Sequence, residues 1–308
     1  MTWRSNINPA IRSQFGETIF NQKYRHEKAE TWAELSRTVV EDVCGEHLSK
    51  EDKDQLTEYI AAMKLIPGGR YLYYAGRKAH FWNNCFLLKA EEDTREEWAA
   101  VSERAISCLM TGGGIGIDYS ILRGRGAPLS RTGGQASGPI PLMHMINENG
   151  RNVMQGGSRR SAIYASLNWK HSDINAFLKA KDWHNLGVGN TELTVWDLKQ
   201  QDFNYPAPLD MTNISVNYDT EWLTNYWKTG DVGDTFRTNV EQALRTAEPG
   251  FSFNFFDKER ETLRNACTEV TSEDDSDVCN LASINFGRIG SLTELSDIVR
   301  LATQFLIC

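Results

Sequence analysis

The first 66 residues have apolar positions three to four apart, which is the spacing of one face of an α-helix. Two such series follow each other, and their members are Trp32, Leu35, Val39 and Val43, then Leu56, Ile60 and Met63. Ser49 and Asp52 have the spacing of a helix N-cap just ahead of the second series. The pattern therefore predicts a helical N-terminal region that ends at Pro67-Gly68-Gly69.

Beyond residue 70, short apolar runs of strand length alternate with longer segments of helical periodicity. The runs begin at Cys85 and continue at 115–119, 163–165, 193–195, 214–216 and 251–256. Helices are expected between them, one capped by Thr94 with Glu97, one over 140–154 and one capped by Ser172. Strands that alternate with helices favour parallel β-α-β units, so the predicted fold class is α/β.

Two loops rich in glycine and arginine interrupt this alternation, at residues 123–139 and 155–160. Glycine frees backbone N–H groups and arginine supplies a guanidinium fork, so such loops suit phosphate binding. A solvated basic turn would have the same composition. The nearby run Gly112-Gly113-Gly114-Ile115-Gly116 is a poor dinucleotide fingerprint, because its glycines follow a helix and precede a strand.

An amide, a thiol and a carboxylate stand at alternate positions near the end of the chain, in Asn265, Cys267 and Glu269. If the backbone is extended there, these side chains share one face, since the side chains of a strand alternate with period two. The set would combine a hydrogen-bonding amide, a carrier of a hydrogen atom or electron, and a proton acceptor. Cys279, twelve residues after Cys267, offers a disulfide partner.

The composition narrows the class of protein. The chain has 308 residues and a formal charge of −8, which argues against a duplex nucleic acid as partner. It has no secretory signal and no apolar run of membrane-spanning length, so a cytoplasmic protein without a membrane partner is expected. Its six cysteines lack C-x-x-C pairs and its histidines lack ligand spacing, so no metal site is predicted. Cys44 and Cys108 are interpreted as small core residues, and the acidic loop 272–277 as a solvated turn.

Six motifs occur in a fixed order between residues 67 and 308. They are Asn84-Cys85-Phe86, Gly112-Gly113-Gly114-Ile115-Gly116-Ile117-Asp118, Ala136-Ser137-Gly138-Pro139, Gly156-Gly157-Ser158-Arg159-Arg160-Ser161-Ala162, Asn265-Ala266-Cys267-Thr268-Glu269 and Cys279-Asn280-Leu281-Ala282-Ser283-Ile284-Asn285. In this order they resemble the catalytic subunit of ribonucleotide reductases. The glycine and arginine loops are most similar to those of class II enzymes, which use adenosylcobalamin, rather than class I enzymes, which use a separate radical-generating subunit.

The resemblance implies a helical region, residues 1–66, followed by the first half of a ten-stranded α/β barrel, residues 67–308. The family's barrel has two five-stranded halves, so the C-terminal half of the same enzyme is expected as a partner. A split gene, an interruption by an intein or an intron, or a truncation would each account for a missing second half.

The resemblance also implies roles for single residues. Cys267 would carry a thiyl radical that takes the hydrogen from C3′ of the ribose, Glu269 would accept the 3′-hydroxyl proton, and Asn265 would hold the substrate. Cys85 and Cys279 would supply two electrons and be left as a disulfide. Further substrate-binding positions would be Asn84, Gly114, Ser137 and Gly138, and those for a regulatory deoxynucleotide would be Asp93, Arg123, Arg125, Arg131, Gly157, Ser158, Arg159 and Arg160.

The activity implied by the resemblance is reduction of ribonucleotides to deoxyribonucleotides, the precursors for DNA replication. A thioredoxin-like protein or another thiol would be the external reductant, and a homo-oligomer is compatible with this activity. Two alternatives stay open: a fragment of a class I large subunit that uses a separate radical-generating subunit, and a non-catalytic regulatory module that binds nucleotides.

Overall fold

The computed structural model describes residues 13–153 and 161–308 of the chain. Two compact units are present: one contains the residues up to Asn84 together with Asn280–Cys308, and the other is Cys85–Cys279. Each unit has its own hydrophobic core. The division at residue 66 that the resemblance implied remains a prediction.

Helices and strands alternate through most of the chain. The α-helices are α1 (Gln14–Ile19), α2 (Trp32–Cys44), α3 (Lys50–Ala61), α4 (Gly69–Tyr74), α5 (Arg95–Met110), α6 (Pro139–Asn152), α7 (Ile174–Leu178), α8 (Val195–Gln201), α9 (Thr220–Thr229), α10 (Gly233–Thr246) and α11 (Leu292–Ile307). The β-strands are β1 (Leu65–Pro67), β2 (Cys85–Leu88), β3 (Gly114–Asp118), β4 (Ile163–Asn168), β5 (Thr212–Tyr218), β6 (Gly250–Phe253), β7 (Leu263–Arg264), β8 (Thr271–Ser272), β9 (Val278–Cys279) and β10 (Ala282–Ile284). Among the described residues, no helix is both long enough and apolar enough to cross a membrane.

The first unit is mainly helical, as the N-terminal pattern predicts. The apolar series of α2 and α3 is buried in its core, except for Met63, which is only partly buried. Ser49 is the N-cap of α3, and its hydroxyl accepts a hydrogen bond from the backbone N–H of Asp52 (3.1 Å). The antiparallel pair of β1 with β10 and the inner face of α11 belong to the same unit. The helical prediction is confirmed for the described part of this region, from residue 13 onwards.

The second unit is built on a six-stranded sheet in the order β6-β5-β4-β3-β2-β9. The strands from β2 to β6 run parallel to their neighbours, and β9 pairs antiparallel with β2. Thr94 caps α5, which follows β2, and its hydroxyl accepts from the backbone N–H of Glu97 (3.2 Å). The predicted α/β class with parallel β-α-β units is therefore confirmed.

The two faces of this sheet differ in chemistry, and that difference positions the candidate site. One face is apolar and enters the core together with residues of α5, α6 and α7; its members include Ile117, Ala165 and Val216. The other face is polar or lacks side chains, and the strand registers bring together Gly114, Gly116, Asp118, Tyr164, Ser166, Asn213, Ser215, Asn217, Gly250 and Ser252. Because strand side chains alternate, the four strands β3 to β6 contribute to a packed core on one face and to a polar surface on the other.

Three local predictions differ from the structure. The run 193–195 is predicted as a strand, but Thr194 is the N-cap of α8. Its hydroxyl accepts from the N–H of Asp197, whose carboxylate accepts from the N–H of Thr194, and this capping box starts a helix despite the apolar run. The helix predicted to be capped by Ser172 has Asp173 at its N-cap. Cys44 is fully buried as predicted, whereas Cys108 is only partly buried against the core.

Candidate active site

Cys85 and Cys279 lie directly opposite each other although 194 positions separate them in the chain. Cys85 is the first residue of β2, Cys279 is the last of β9, and the antiparallel register pairs the two. Both thiols are free and buried. Directly opposed residues of an antiparallel pair have Cα atoms about 4.5–5.5 Å apart, within the range that a disulfide spans. The fold therefore holds two thiols in a geometry from which a disulfide can form.

The two thiols of this pair differ in acidity. The pKa of Cys85 is lowered to about 7, chiefly by the hydrogen bond with the Cys279 thiol, with burial opposing and the Asn265 side chain and Ala266 backbone assisting. The pKa of Cys279 is raised, chiefly because it donates that hydrogen bond to Cys85 and also because it is buried. The shared proton stays on Cys279, so near neutral pH Cys85 is the thiolate of the pair and the better nucleophile.

Asn265 joins the cysteine pair to a tight turn between β7 and β8. Its side chain is fully buried, and its Nδ2 donates to the Cys279 sulfur (3.6 Å). Its Oδ1 accepts from the N–H of Val270 (3.2 Å), and its carbonyl accepts from the N–H of Thr268 (3.0 Å). Thr268 has a φ of 70°, the left-handed region in which a turn reverses direction.

This turn shows that the extended backbone considered for residues 265–269 is wrong. The structure does not align Asn265, Cys267 and Glu269 on one face of a strand: Asn265 points into the protein, whereas Cys267 and Glu269 are exposed. The physical reason is that one amide side chain closes the turn through both of its polar ends. Asn265 thus contacts the redox pair while Cys267 remains accessible from outside.

Cys267 is a protonated thiol at neutral pH. Burial raises its pKa, and the negative charges of Glu269 and Cys85 raise it further. Because the charge of Cys85 acts on the pKa of Cys267, the Cys267 sulfur lies within electrostatic range of the cysteine pair. A protonated, accessible thiol is the form from which a hydrogen atom can be removed.

The residues predicted to bind substrate are found in different surroundings. Gly114 lies between the pair and the turn, because a Cβ on it would be 3.3 Å from the Cys85 sulfur and 3.2 Å from the Ala266 Cβ. Asn84 belongs to the first unit and packs against Gly68. Gly138 is buried beside Asp173 and Arg125, and Ser137 next to it is exposed. Their role in substrate binding remains a prediction.

The predicted effector loop is folded on itself by backbone hydrogen bonds, with a bridge between Pro128 and Gln135. Arg123 is held by Asp93, to which both its backbone N–H (3.1 Å) and its Nε (2.5 Å) donate. The backbone N–H of Arg125 donates to the Asp173 carboxylate (2.9 Å), and the exposed Arg131 forms an ion pair with Glu96 (3.7 Å). Gly157, Ser158, Arg159 and Arg160 lie outside the described residues.

Polar residues inside the sheet were missed by the sequence reasoning. Arg264 donates to Ser252 and Asn254, and Ser166 donates to Asp118 (3.2 Å). The available signal was the alternation of polar and apolar residues along β4 and β5, which marks a strand with one polar face. The prediction treated these segments only as short apolar runs of strand length.

Comparison with known proteins agrees with this architecture. The family model for the ribonucleotide reductase barrel domain matches residues 83–205. The vitamin B12-dependent ribonucleoside-diphosphate reductase of Thermoplasma acidophilum is 27% identical over 82% of this chain and 34% of its own length. The ribonucleoside-diphosphate reductase large subunit of Vaccinia virus is 27% identical over 76% of this chain and 35% of its own length. The chain thus spans about a third of the length of these relatives.

A solved structure shows the same fold. The class Id ribonucleotide reductase alpha subunit of Actinobacillus ureae matches 96% of this chain and 53% of its own length, with a TM-score of 0.72 and 18% identity. The fold of this chain is thus that of a ribonucleotide reductase alpha subunit. The resemblance inferred from the motifs is confirmed, and residues 83–205 match the model of that family's barrel domain.

Proposed function

We propose that this chain is the cysteine-bearing part of an enzyme that reduces ribonucleotides to deoxyribonucleotides. The observation that supports this most strongly is the opposed, buried pair Cys85 and Cys279, with Asn265 bonded to it and Cys267 on the same turn. A ribonucleoside has a 2′-hydroxyl that must leave as water while two electrons are supplied. A dithiol that becomes a disulfide supplies those electrons and balances the reaction.

The chain's own residues suit the separate steps of a thiyl-radical reaction. Cys267, once its hydrogen atom has been removed, takes the hydrogen from C3′ of the ribose and later returns it. Glu269, exposed beside it, accepts the proton of the 3′-hydroxyl. Cys85 and Cys279 in their fully protonated, dithiol form, which is still populated because the pKa of Cys85 is about 7, then transfer two electrons and two protons, the 2′-hydroxyl departs as water, and the pair is left oxidised.

The proposed role of Asn265 in holding the substrate depends on which of its hydrogen-bonding groups are still available. Both polar ends of its side chain are engaged within the protein, one with Cys279 and one with Val270. The amide nitrogen carries two N–H groups, and the side chain also hydrogen-bonds Cys85. Substrate hydrogen bonding by this residue therefore requires that one of these bonds be exchanged or that a lone pair left on Oδ1 be used.

The radical source is proposed to be adenosylcobalamin, which supplies a radical when it is bound. The exposed thiol of Cys267 supports this proposal, because any radical source must reach that sulfur. A metal-containing partner subunit would meet the same requirement, so the class I alternative is tested beside it. One relative is named as B12-dependent and others are named as large or alpha subunits.

The proposal includes partners beyond the substrate. The rest of the enzyme's length is expected from a C-terminal half, and the oxidised pair must be reduced by a thioredoxin-like protein or another thiol. The loop that contains Arg123, Arg125 and Arg131 is proposed to bind a deoxynucleotide that regulates substrate choice. A cytoplasmic location agrees with a redox pair that must be re-reduced after each turnover.

An activity assay with alternative radical sources tests this proposal. The chain is combined with a polypeptide that supplies the C-terminal half, a ribonucleotide, a dithiol reductant, and either adenosylcobalamin or a metal-containing radical subunit. Deoxynucleotide formation is expected with adenosylcobalamin and is expected to disappear in Cys267→Ala, while Cys108→Ala retains it.

Turnover that survives Cys267→Ala would overturn the mechanism. Dependence on the metal-containing subunit would assign the chain to class I. Deoxynucleotide binding without turnover under every combination would favour the non-catalytic regulatory module.

A further inference from the structure

The turn that carries Cys267 lies across the polar face of the sheet and is held there by its backbone. The carbonyl of Arg264 sits directly over Gly116, because a Cβ on Gly116 would be only 1.6 Å from that oxygen. The carbonyl of Ala266 accepts a hydrogen bond from Nδ2 of Asn213 on β5 (3.3 Å). Arg264 at the end of β7 and Ala266 in the turn are therefore in contact with two different strands, β3 and β5.

The side chain of Arg264 adds a third attachment, to β6. Its Nε donates to the hydroxyl of Ser252 (2.9 Å), and a terminal nitrogen donates to Oδ1 of Asn254 (2.8 Å). Ser252 shares a further hydrogen bond with the hydroxyl of Tyr164 on β4 (2.7 Å). All four side chains are buried, so these bonds are protected from water.

Arg264 is unusual because its side-chain hydrogen bonds go to the neutral groups of Ser252 and Asn254, although its charge also helps to lower the pKa of Glu261. Within 13–153 and 161–308, no ion pair with an aspartate or glutamate is formed by this buried guanidinium. Burying a guanidinium among neutral partners costs free energy, because the charge loses its hydration. What the guanidinium provides is a planar fork of N–H donors that fixes the geometry of its partners. An apolar residue would fill the space but could not bond Ser252 and Asn254 at once.

We propose that Arg264 is a positioning residue that ties β7 to β6 and so holds the Asn265–Cys267 turn against the Cys85–Cys279 pair, with Asn213 as a second attachment. Its importance for turnover rests on the proposed function. Its effect on the thiol pair does not, because Asn265 reaches Cys279 only if the turn stays in place.

The acidity of Cys85 reports directly on this positioning. Asn265 and the Ala266 backbone both help to lower the pKa of Cys85, so release of the turn should weaken their hydrogen bonds. The measurement is the pH dependence of Cys85 alkylation in the full chain, with the modified cysteine identified by peptide mass spectrometry. Thermal unfolding of each variant shows separately whether the chain remains folded.

Arg264→Gln is expected to move the Cys85 midpoint upward from about 7, towards the value of about 8.5 for a free cysteine. Arg264→Lys keeps the charge without the planar fork and should restore the midpoint only in part. The matched control is Arg260→Gln, since Arg260 is 82% exposed and its ion pair is with Glu273. Its midpoint should equal that of the unmodified chain.

A folded Arg264→Gln chain with an unmoved midpoint would overturn the proposal. If that variant does not fold, Asn213→Ala decides, because Asn213 is exposed and its loss should raise the midpoint by a smaller amount. An unmoved midpoint in Asn213→Ala would then contradict the proposal. None of these readouts needs turnover, so failure of the proposed enzymatic activity would leave them informative.

Discussion

At the scale of single residues, the chemistry of this protein depends on a contact that no local pattern in the sequence indicates. Cys85 and Cys279 become neighbours only because β9 returns antiparallel to the start of β2. Their pairing could be expected from the family resemblance, since each cysteine lies in one of the six motifs. It could not be derived from spacing, because the connection between them passes through the whole parallel sheet.

The turn at Asn265 shows the opposite case, in which a local pattern suggested the wrong geometry. Polar residues at alternate positions fit a strand, but the same spacing also lets an asparagine bond the backbone of Val270 and close a loop. Asparagine side chains commonly compete with strand pairing in this way. The residues were therefore predictable as a chemical set, and their arrangement was not.

The first prediction concerns the acidity of Cys85. Cys279→Ala removes the hydrogen bond that contributes most to lowering the pKa of Cys85. The midpoint of Cys85 alkylation should therefore rise from about 7, so that the thiolate is lost at neutral pH and appears only in more alkaline solution. Cys108→Ala serves as control, because Cys108 is not among the groups that shift Cys85. A midpoint that falls or stays constant in Cys279→Ala would show that the two thiols do not share a proton.

At the scale of elements, the parallel strands and the helices α5 and α6 were predictable because each has a clear signal. Buried apolar runs mark β2 to β5, and the capping pairs at Ser49 and Thr94 mark the starts of α3 and α5. The short strands β7, β8 and β9 have two residues each and no such signal. They form because the chain folds back across the sheet, and these three strands position the site.

Gly116 provides a test at this scale. A Cβ at this position would lie 1.6 Å from the Arg264 carbonyl and 2.8 Å from its carbon, so Gly116→Ala must push β7 away from the sheet. Overpacking of this kind typically costs about 1–3 kcal/mol. Urea unfolding should show this loss, and alkylation should show a raised Cys85 midpoint.

Gly187→Ala is the matched control for that experiment. No atom lies within 4 Å of a Cβ at Gly187, and its φ is outside the left-handed range. Its stability should be unchanged or higher by about 0.4–1 kcal/mol, because alanine restricts the unfolded chain. Equal stabilities for the two variants would mean that the turn is not packed against β3.

At the scale of the whole molecule, this chain corresponds to part of the architecture of the proteins that it matches. The chain covers about a third of the length of the reductases it matches and 53% of a solved alpha subunit. The cysteine pair, the asparagine and the exposed thiol are all contributed by this chain, within Cys85–Cys279. We therefore expect turnover to require the C-terminal half, while the thiol chemistry of the pair is already present here.

The central claim is that Cys85 and Cys279 supply the electrons for ribonucleotide reduction. The most direct measurement is a single turnover without external reductant, in which the reduced chain, its C-terminal half, a ribonucleotide and adenosylcobalamin are mixed. Deoxynucleotide and disulfide are then quantified together, the disulfide by peptide mass spectrometry. The account predicts one Cys85–Cys279 disulfide for each deoxynucleotide formed, and neither product in Cys267→Ala. Deoxynucleotide formed while both cysteines remain reduced would contradict it.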